Sequence, residues 1–211
     1  MTTISVITPT WKRHELLMER CIPSVFTQTW PDIEHVIVSD GPDRKLAQLL
    51  AGDLWRRPLK PPVRRPLKLD QLSTHVEGTV DYGSRARNHA VKLASGELIA
   101  YLDDDNAYRP EHLEHLAEAL DDPRVDFAYS KLLTHPGGQV IGALTPQYGG
   151  IDTSVIMHRA DTLQRFGWWP EPDELYGDKH APDWGVVERW LLAGANWVHV
   201  PVVTVDYYAA T

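Results

Sequence analysis

The features that would assign this chain of 211 residues to several common classes are absent from it. It has one cysteine, Cys21, so no intramolecular disulfide can form, and it has no CxxC pair or Cys/His cluster that would suggest a zinc site. No apolar run approaches the roughly 18 residues that a membrane span requires. The N-terminus lacks the basic and apolar segments of a signal peptide. We therefore expect a cytoplasmic protein without a transmembrane segment.

An excess of positive charge is also lacking. The chain has 29 acidic and 21 basic residues, and its net charge is −8 at pH 7. Because binding to nucleic acid depends on clustered cations, nucleic acid is not an expected partner. The basic residues that do cluster lie between Arg56 and Lys68, among four prolines that exclude a helix. We expect an exposed loop there, with peripheral contact to an anionic membrane surface or contact with a bound phosphate as alternative uses.

Apolar runs alternate with helical patterns over the first 120 residues. The strands are predicted at Ile4–Thr8, His35–Ser39 and Leu98–Leu102. The helical patterns cover a segment after the first strand, residues 43–54, residues 84–94, and a segment opened by Pro110. We expect Pro9 to end the first strand and Pro23 to kink or divide the first helix. The alternation predicts an α/β fold with a mainly parallel sheet covered by helices.

The pattern changes after residue 120. Short strands are predicted at Phe127–Leu133, Gln139–Ala143, Ser154–His158 and Val198–Tyr208, with a helix over Trp184–Ala193. A short strand is also predicted between Leu67 and Leu72, directly after the basic stretch. The short gaps between the later strands predict a smaller, mixed β region that forms one compact unit with the first part.

Three consecutive carboxylates follow a strand that the pattern predicts to be buried. They are Asp103, Asp104 and Asp105. If the chain stays extended, Asp103 and Asp105 point to the same side. Open α/β sheets bind ligands at the carboxyl ends of their strands, and a divalent cation would allow such acids to approach a diphosphate. The alternative is an acidic surface turn before a helix, which does not explain why the acids follow a strand directly.

A series of short motifs runs along most of the chain. They are SVITPTWKR at 5–13, QTW at 28–30, VSDG at 38–41, GSRARN at 83–88, SGELIAYLDDDN at 95–106, IDTS at 151–154 and PDW at 182–184. With these motifs in this order, the chain resembles family 2 glycosyltransferases of the GT-A fold. The resemblance implies a Rossmann-like, mainly parallel central sheet flanked by helices, with a smaller mixed β region on the acceptor side. It also implies one domain, with residues 1–106 as the nucleotide-binding half and 107–211 as the acceptor-binding half.

The resemblance also implies the roles of individual residues. Those near the nucleotide would be Thr8, Pro9, Arg13, Asp40, Arg87, Asp103 and Asp104, with Asp40 on the base or ribose and Asp103 on the ribose. Asp105 would ligate Mn²⁺ or Mg²⁺, and Asp183 would be the catalytic base. Pro182 stands where the family often has a further acid. His199 is the one late candidate for another metal ligand, although a packed or surface histidine is the favoured interpretation.

Each of these assignments has a simpler alternative. Asp40 precedes Gly41 and could serve only a turn. Asp183 could be the N-cap of the helix that follows it, which would still allow it to face a pocket. Arg85 and Arg87 are two positions apart and cannot share one helix face, so one of them is expected to be solvated, and Arg87 is favoured for the ligand.

The activity implied by the resemblance is transfer of a sugar from a nucleotide-diphosphate sugar, with UDP favoured, to the hydroxyl or amine of an unidentified acceptor, with inversion. Trp168 and Trp169 could line the acceptor site or belong to a packed core. A dinucleotide-binding enzyme would need a glycine-rich loop after the first strand, where TPTW stands. The remaining alternative is a catalytically degenerate module that binds sugar nucleotides, which the joint presence of the four aspartates 40, 103, 105 and 183 opposes.

Overall fold

The computed structural model describes residues 2–51, 67–75, 82–171 and 181–208. The strands are β1 (Ile4–Thr10), β2 (Ile33–Ser39), β3 (Lys68–Gln71), β4 (Leu98–Tyr101), β5 (Ala107–Tyr108), β6 (Phe127–His135), β7 (Val140–Ile141), β8 (Ile156–Arg159) and β9 (Trp197–Tyr208). The helices are α1 (His14–Leu16), α2 (Ile22–Phe26), α3 (Arg44–Ala51), α4 (Ser84–Leu93), α5 (His112–Ala119), α6 (Thr162–Phe166) and α7 (Pro182–Leu192), with a π-helical turn over Leu17–Cys21 and a 3₁₀ turn over Thr153–Val155.

Within the described residues, the strands form one sheet of nine. Its order is β3-β2-β1-β4-β8-β6-β9-β5, and β7 pairs with β6 beside this path. The first four strands of this order are parallel to one another. β8 is antiparallel to both β4 and β6, and β9 is parallel to β6. The expected α/β fold, with a parallel part followed by a mixed part, is confirmed.

The core of the parallel part consists of β1 and β2. Nearly every residue of these strands is buried, as expected when helices cover both faces of a sheet. Helix α4 packs on both strands, and its Ala86 and Ala90 are fully buried. Small side chains at these positions allow the helix to lie close to the sheet.

One buried carboxylate connects the strands of this half. Glu34, in β2, accepts hydrogen bonds from the hydroxyl of Ser5 in β1 and from the main chain and hydroxyl of Ser95, just before β4. It also pairs with the ammonium group of Lys68 in β3. A charge buried in this way is tolerated only when hydrogen bonds and a counter-charge compensate it.

Two predictions about prolines have different outcomes. Pro9 does not end the first strand, because β1 continues to Thr10 in register with β2. β4 pairs with β1 only as far as Ile7. The missing N–H of Pro9 therefore removes no hydrogen bond from the sheet. Pro23 does divide the first helix: a π-helical turn ends at Cys21, and α2 begins with Pro23 in its first turn.

Other boundaries differ by a few residues. Helix α5 begins at His112 rather than at Pro110, because the Pro110 carbonyl accepts a hydrogen bond from the main chain of Thr29. The short strand predicted after the basic stretch is confirmed as β3. Most of that stretch, residues 56–66, lies outside the described residues. No helix in the described part is long and apolar enough to cross a membrane.

Candidate active site

Strand direction brings the motifs to one edge of the sheet. The parallel strands β1, β2 and β4 end at this edge, with Thr10, Ser39 and Tyr101 as their last residues. β8 runs the opposite way, so it begins at the edge where β4 ends. β9 is parallel to β6, which in turn is antiparallel to β8, so β9 also ends here. The carboxyl edge therefore gathers residues from both halves of the chain.

The three consecutive aspartates lie in a turn after β4. The strand ends at Tyr101, so alternation along a strand is the wrong reason for placing Asp103 and Asp105 together. Asp103 accepts a hydrogen bond of 2.6 Å from Nη2 of Arg87. The carboxylate of Asp104 points inward and accepts one of 2.7 Å from the hydroxyl of Thr10. The turn therefore presents its acids to different partners.

Arg13 joins two of these acids. Its Nη1 atom lies 2.7 Å from Oδ2 of Asp105 and 3.2 Å from Oδ1 of Asp104. Arg20 donates a hydrogen bond of 2.6 Å to the main-chain carbonyl of Asp105. Two arginines from the segment after β1 thus fix the acidic turn after β4.

Burial disfavours the charged form of two acids in this turn. Burial raises the pKa of Asp105, and the charge of Asp103 raises it further, while Arg13 acts in the opposite direction. Burial likewise raises the pKa of Asp104 to about 6, although the Thr10 hydroxyl and Arg13 oppose the shift. A cation at this turn would relieve the strain between the ionised carboxylates.

A fourth carboxylate, Asp152, was not among the predicted site residues. It caps the 3₁₀ turn before β8 by accepting a hydrogen bond of 2.8 Å from the main chain of Ser154. The hydroxyl of Ser154 in turn contacts the main-chain nitrogen of Asp103 at 3.4 Å. Burial, followed by the charges of Asp103 and Asp183, raises the pKa of Asp152. Only the motif at 151–154 drew attention to this segment in the sequence.

Asp183 enters the site from helix α7. The helix begins at Pro182 with Ala181 as its N-cap, so Asp183 lies inside the first turn and is not the cap. Its Oδ1 accepts a hydrogen bond of 2.7 Å from the main chain of Trp184. Burial raises the pKa of Asp183; the Trp184 amide and Arg87 oppose this shift, and Asp103 adds to it. Asp183 therefore lies within electrostatic reach of the same arginine as Asp103.

Arg87 is the buried arginine of α4, as the spacing argument favoured. It is 3% exposed, donates to Asp103 and to the carbonyl of Tyr82, and lies over the ring of Trp169. Gly83 precedes the helix with φ +84°, and a Cβ atom there would lie 3.0 Å from Cβ of Pro9. The start of α4 is thus packed directly against the end of β1.

Two of the residues predicted near the nucleotide are placed differently from the rest. The side chain of Thr8 is fully buried and lies 2.9 Å from Nε2 of His35, so only its main chain could face a ligand. Asp40 follows β2 and pairs with His75, 2.9 Å away, in the segment after β3. The ring of His75 stacks on Trp11 with centroids 4.3 Å apart.

The end of β9 closes the other side of the acidic turn. The main chain of Tyr208 donates a hydrogen bond of 3.0 Å to Asn106, and its ring lies 3.7 Å from the guanidinium of Arg20. Burial raises the pKa of Tyr207, and the charges of Asp152, Asp103, Asp105 and Asp183 raise it further.

The three further candidates from the second half of the chain pack against other side chains. His199 stacks on Tyr129 with centroids 4.9 Å apart. Tyr208 lies nine positions further along β9, about 30 Å away in an extended strand, so His199 is a packed histidine and not a metal ligand of this site. Trp169 is fully buried and belongs to the core, whereas Trp168 is partly buried beside Lys92.

The donor set of the acidic turn suits a hard divalent cation. Its carboxylate oxygens are the ligands that Mg²⁺ and Mn²⁺ prefer. The described residues contain no group of three or more acidic, histidine or cysteine side chains arranged to hold a metal alone. Mg²⁺ commonly binds through one or two carboxylates together with substrate phosphates. The residues present therefore fit a cation that a bound diphosphate helps to hold.

Comparison with known sequences gives the same family that the motifs suggested. The model of the family described as "Glycosyl transferase family 2" matches residues 69–176, about half of the chain. The putative colanic acid biosynthesis glycosyl transferase WcaA of Escherichia coli is 32% identical over 111 residues, which cover 52% of this chain and 35% of WcaA. An uncharacterized glycosyltransferase of Methanocaldococcus jannaschii is 27% identical over 129 residues, 60% of this chain and 40% of the relative. The chain thus spans well under half the length of these relatives.

Solved structures share the fold over nearly the whole chain. The poly(ribitol-phosphate) β-N-acetylglucosaminyltransferase TarS of Staphylococcus aureus, in complex with UDP, superposes with a TM-score of 0.73 at 21% identity, covering 99% of this chain and 61% of that one. The mannosyltransferase PcManGT of Pyrobaculum calidifontis, in complex with GDP-Man and Mn²⁺, gives 0.71 at 19% identity, covering 97% and 56%. At these identities the likeness establishes the GT-A fold.

Proposed function

We propose that this chain, which belongs to glycosyl transferase family 2, transfers a sugar from a nucleotide-diphosphate donor to a hydroxyl or amine of an acceptor. One observation carries the proposal: four carboxylates and three arginines from distant segments converge at the carboxyl edge of the sheet. The acids are Asp103, Asp105, Asp152 and Asp183, and the arginines are Arg13, Arg20 and Arg87.

The donor would occupy the part of this edge between β1, β2 and β4. Pro9 and Arg13 border it on one side and Asp40 on the other, with Asp103 placed for the ribose. Arg87 would act mainly by fixing Asp103, because its guanidinium is buried and bonded to that carboxylate. Asp104 would shape the turn from inside through Thr10 and would not touch the ligand. This assigns residues 1–106 to the nucleotide and leaves the acceptor to residues 107–211, within one domain.

Asp105 would hold a divalent cation together with the donor diphosphate. When bound, such a cation neutralises the charge that develops on the departing nucleoside diphosphate. The raised pKa of Asp105 supports the assignment, since burial and a neighbouring carboxylate leave its charge only partly compensated by Arg13. The requirement for Mn²⁺ or Mg²⁺ is part of this proposal.

Asp183 would act as the general base. The acceptor oxygen or nitrogen attacks the anomeric carbon, the bond from that carbon to the diphosphate breaks, and the proton passes from the acceptor to Asp183. A single displacement of this kind inverts the anomeric configuration. Burial raises the pKa of Asp183, which makes this carboxylate a better proton acceptor than an exposed aspartate. Asp183 also lies in the first turn of a helix, where negative charge is stabilised.

The donor nucleotide is proposed to be UDP or GDP, with UDP favoured. TarS has been solved with UDP and with UDP-GlcNAc, and PcManGT with GDP-Man and Mn²⁺. The acceptor is unidentified, and the cytoplasmic location expected from the sequence stays a prediction.

Two measurements test the proposal. The first is calorimetry with UDP and with GDP, each with and without Mn²⁺, and the second is a hydrolysis assay with UDP-sugars and GDP-sugars. We expect Mn²⁺-dependent binding that Asp105→Ala abolishes and that Asp121→Ala, which removes an exposed acid, leaves unchanged. Slow hydrolysis of the bound sugar nucleotide is expected even without an acceptor. Binding without any turnover would favour the degenerate binding module, and absence of nucleotide binding would refute the proposal.

A further inference from the structure

The two oxygens of the Asp40 carboxylate have different surroundings. Oδ2 lies 2.9 Å from Nδ1 of His75, whereas Oδ1 is buried and has no hydrogen-bond partner in the described part of the protein. A buried carboxylate oxygen without a donor costs free energy, so a site that keeps one is prepared for a donor from a ligand. The side chain of Asp40 is 15% exposed, which leaves access from one direction.

His75 holds its position through three contacts. Nδ1 also lies 3.0 Å from the main-chain carbonyl of Asp40. Both partners of Nδ1 can only accept, so this nitrogen carries the hydrogen. The ring stacks on Trp11 at an interplanar angle of 16°. At Gly41, a Cβ atom would lie 2.8 Å from Cβ of His75 and 2.9 Å from Cζ3 of Trp11, so glycine is required for this close approach.

A role in the turn alone does not account for Asp40. The carboxylate of an aspartate in a turn usually accepts from the main chain two residues later, but that residue is Pro42, which has no N–H. The start of α3 is capped by another residue, Asp43, whose Oδ1 accepts from the main chain of Leu46 at 2.9 Å. The local backbone therefore does not use the Asp40 carboxylate.

We infer that His75 is a positioning residue that fixes Asp40 so that its free oxygen accepts a hydrogen bond from the nucleoside of the donor. This inference rests on the proposed function, because it takes the nucleotide to bind between β1 and β2. His75 does not touch the ligand in this scheme. It binds one oxygen of the carboxylate and leaves the other to recognise an N–H of the base or a hydroxyl of the ribose, which offer the same donor chemistry.

Two variants distinguish the contribution of the His75 hydrogen bond to nucleotide binding from the contribution of its ring. His75→Phe keeps an aromatic ring for Trp11 but removes the donor, and His75→Asn keeps a donor near Nδ1 but removes the ring. Binding of UDP and of inorganic pyrophosphate, each with Mn²⁺, is measured by calorimetry. We expect His75→Phe to weaken UDP binding about tenfold, as for the loss of a hydrogen bond to a charged group. His75→Asn should retain most of the affinity, and neither variant should change pyrophosphate binding.

Coupling to Asp40 provides the second readout. Asp40→Asn should weaken UDP binding, and the double variant with His75→Phe should be no weaker than Asp40→Asn alone, because both changes remove one interaction. UDP methylated at N3 distinguishes the base from the ribose as the group that donates the hydrogen bond to Asp40. If the base donates it, the wild-type protein binds this analogue more weakly than UDP. If the ribose donates it, the wild-type protein binds the analogue and UDP equally well.

The outcomes distinguish this inference from the proposed function. Wild-type affinity in His75→Phe, an additive loss in the double variant, or an equal loss of pyrophosphate binding would overturn the role of His75 and leave nucleotide binding intact. A wild-type protein that binds no nucleoside diphosphate would overturn both proposals.

Discussion

Nη1 of Arg13 lies 2.7 Å from Oδ2 of Asp105, the carboxylate that we propose as the metal ligand. The same nitrogen contacts Asp104 at 3.2 Å, and the arginine side chain is 48% exposed while both acids are largely buried. A cation that binds Asp105 must therefore compete with a guanidinium that can move into solvent. The family resemblance assigned Arg13 to the nucleotide, and this ion pair adds a second role, that of a counter-charge.

Replacing Arg13 should separate these two roles. We expect Arg13→Ala to bind Mn²⁺ severalfold more tightly in the absence of nucleotide, because removal of one exposed cation in contact with the site changes binding by about 1 kcal/mol after screening. UDP binding should weaken in the same variant. Manganese titration followed by electron paramagnetic resonance measures the first effect. The control is Arg44→Ala, which removes the same charge from an exposed position on α3; unchanged or weaker Mn²⁺ binding in Arg13→Ala would contradict the competition.

Replacement of Asp183 tests the general base. Asp183→Asn should reduce turnover by about 10²–10⁴-fold, the usual contribution of a positioned base, and should leave UDP binding within about twofold of wild type. Steady-state transfer and calorimetry measure the two effects, with Asp121→Asn as the control for loss of an exposed acid. If Asp183→Asn remains active while Asp152→Asn does not, the base is Asp152.

Stability should depend on Glu34 in a way that changes with pH. Burial alone would raise the pKa of Glu34, but hydrogen bonds from Lys68, Ser5 and Ser95 outweigh burial and hold the pKa below its ordinary value. Ionised Glu34 therefore stabilises the fold above the unfolded-state pKa, about 4.3, and this contribution is lost as the pH falls through the lower folded-state pKa. Glu34→Gln should lower the free energy of unfolding by about 1–3 kcal/mol at pH 7, because the buried donors lose their charged acceptor.

Urea denaturation at a series of pH values measures this dependence. The difference between wild type and Glu34→Gln should shrink as the pH falls below about 4.3. The exposed Glu118→Gln should cost almost nothing at any pH. A deficit in Glu34→Gln that stays constant down to acid pH would show that the stabilisation does not come from the charge.

Two glycines with nearly the same φ angle provide a matched pair. Gly83 has φ +84° and Gly194 has φ +86°, but a Cβ atom at Gly83 would lie 3.0 Å from Pro9, whereas one at Gly194 would meet no atom within 4 Å. Gly194→Ala should cost about 1 kcal/mol for the left-handed conformation alone. Gly83→Ala should cost more, and it should also weaken UDP binding, because Pro9 borders the proposed donor site and Arg87 fixes Asp103. Equal stability and equal UDP affinity in the two variants, measured by denaturation and calorimetry, would contradict the packing argument.

The sequence singled out several residues that the structure brings to one edge of the sheet. The acids after β4 were identified from their position after an apolar run, whereas the arginine on α4 and the aspartate on α7 were identified from the family resemblance. The roles of these residues stay predictions. The reason given for the pairing of Asp103 with Asp105 was wrong, since β4 ends two residues before Asp103. Strand ends are weakly specified by apolar runs, and the turn depends on Arg13 and Thr10 from another segment.

The parts that could not be predicted depend on strand order. Asp152 reaches the site because β8 is antiparallel to β4, and neither strand contains a signal for that pairing. The contact between His75 and Asp40 similarly requires β3 to lie beside β2, which places the segments after the two strands together. Periodicity identifies buried faces but does not say which strands become neighbours, so contacts between distant segments were missed.

The order of the strands also determines which strands lie at the two ends of the sheet. In the described part of the chain, the path through the sheet ends with β3, which has four residues, and with β5, which has two. β3 also carries Lys68 and Asp70. Short, charged edge strands offer few free backbone groups to another copy. At these two ends of the described sheet, a further chain would therefore find little backbone to pair with, and growth of the sheet by strand addition would gain few hydrogen bonds there.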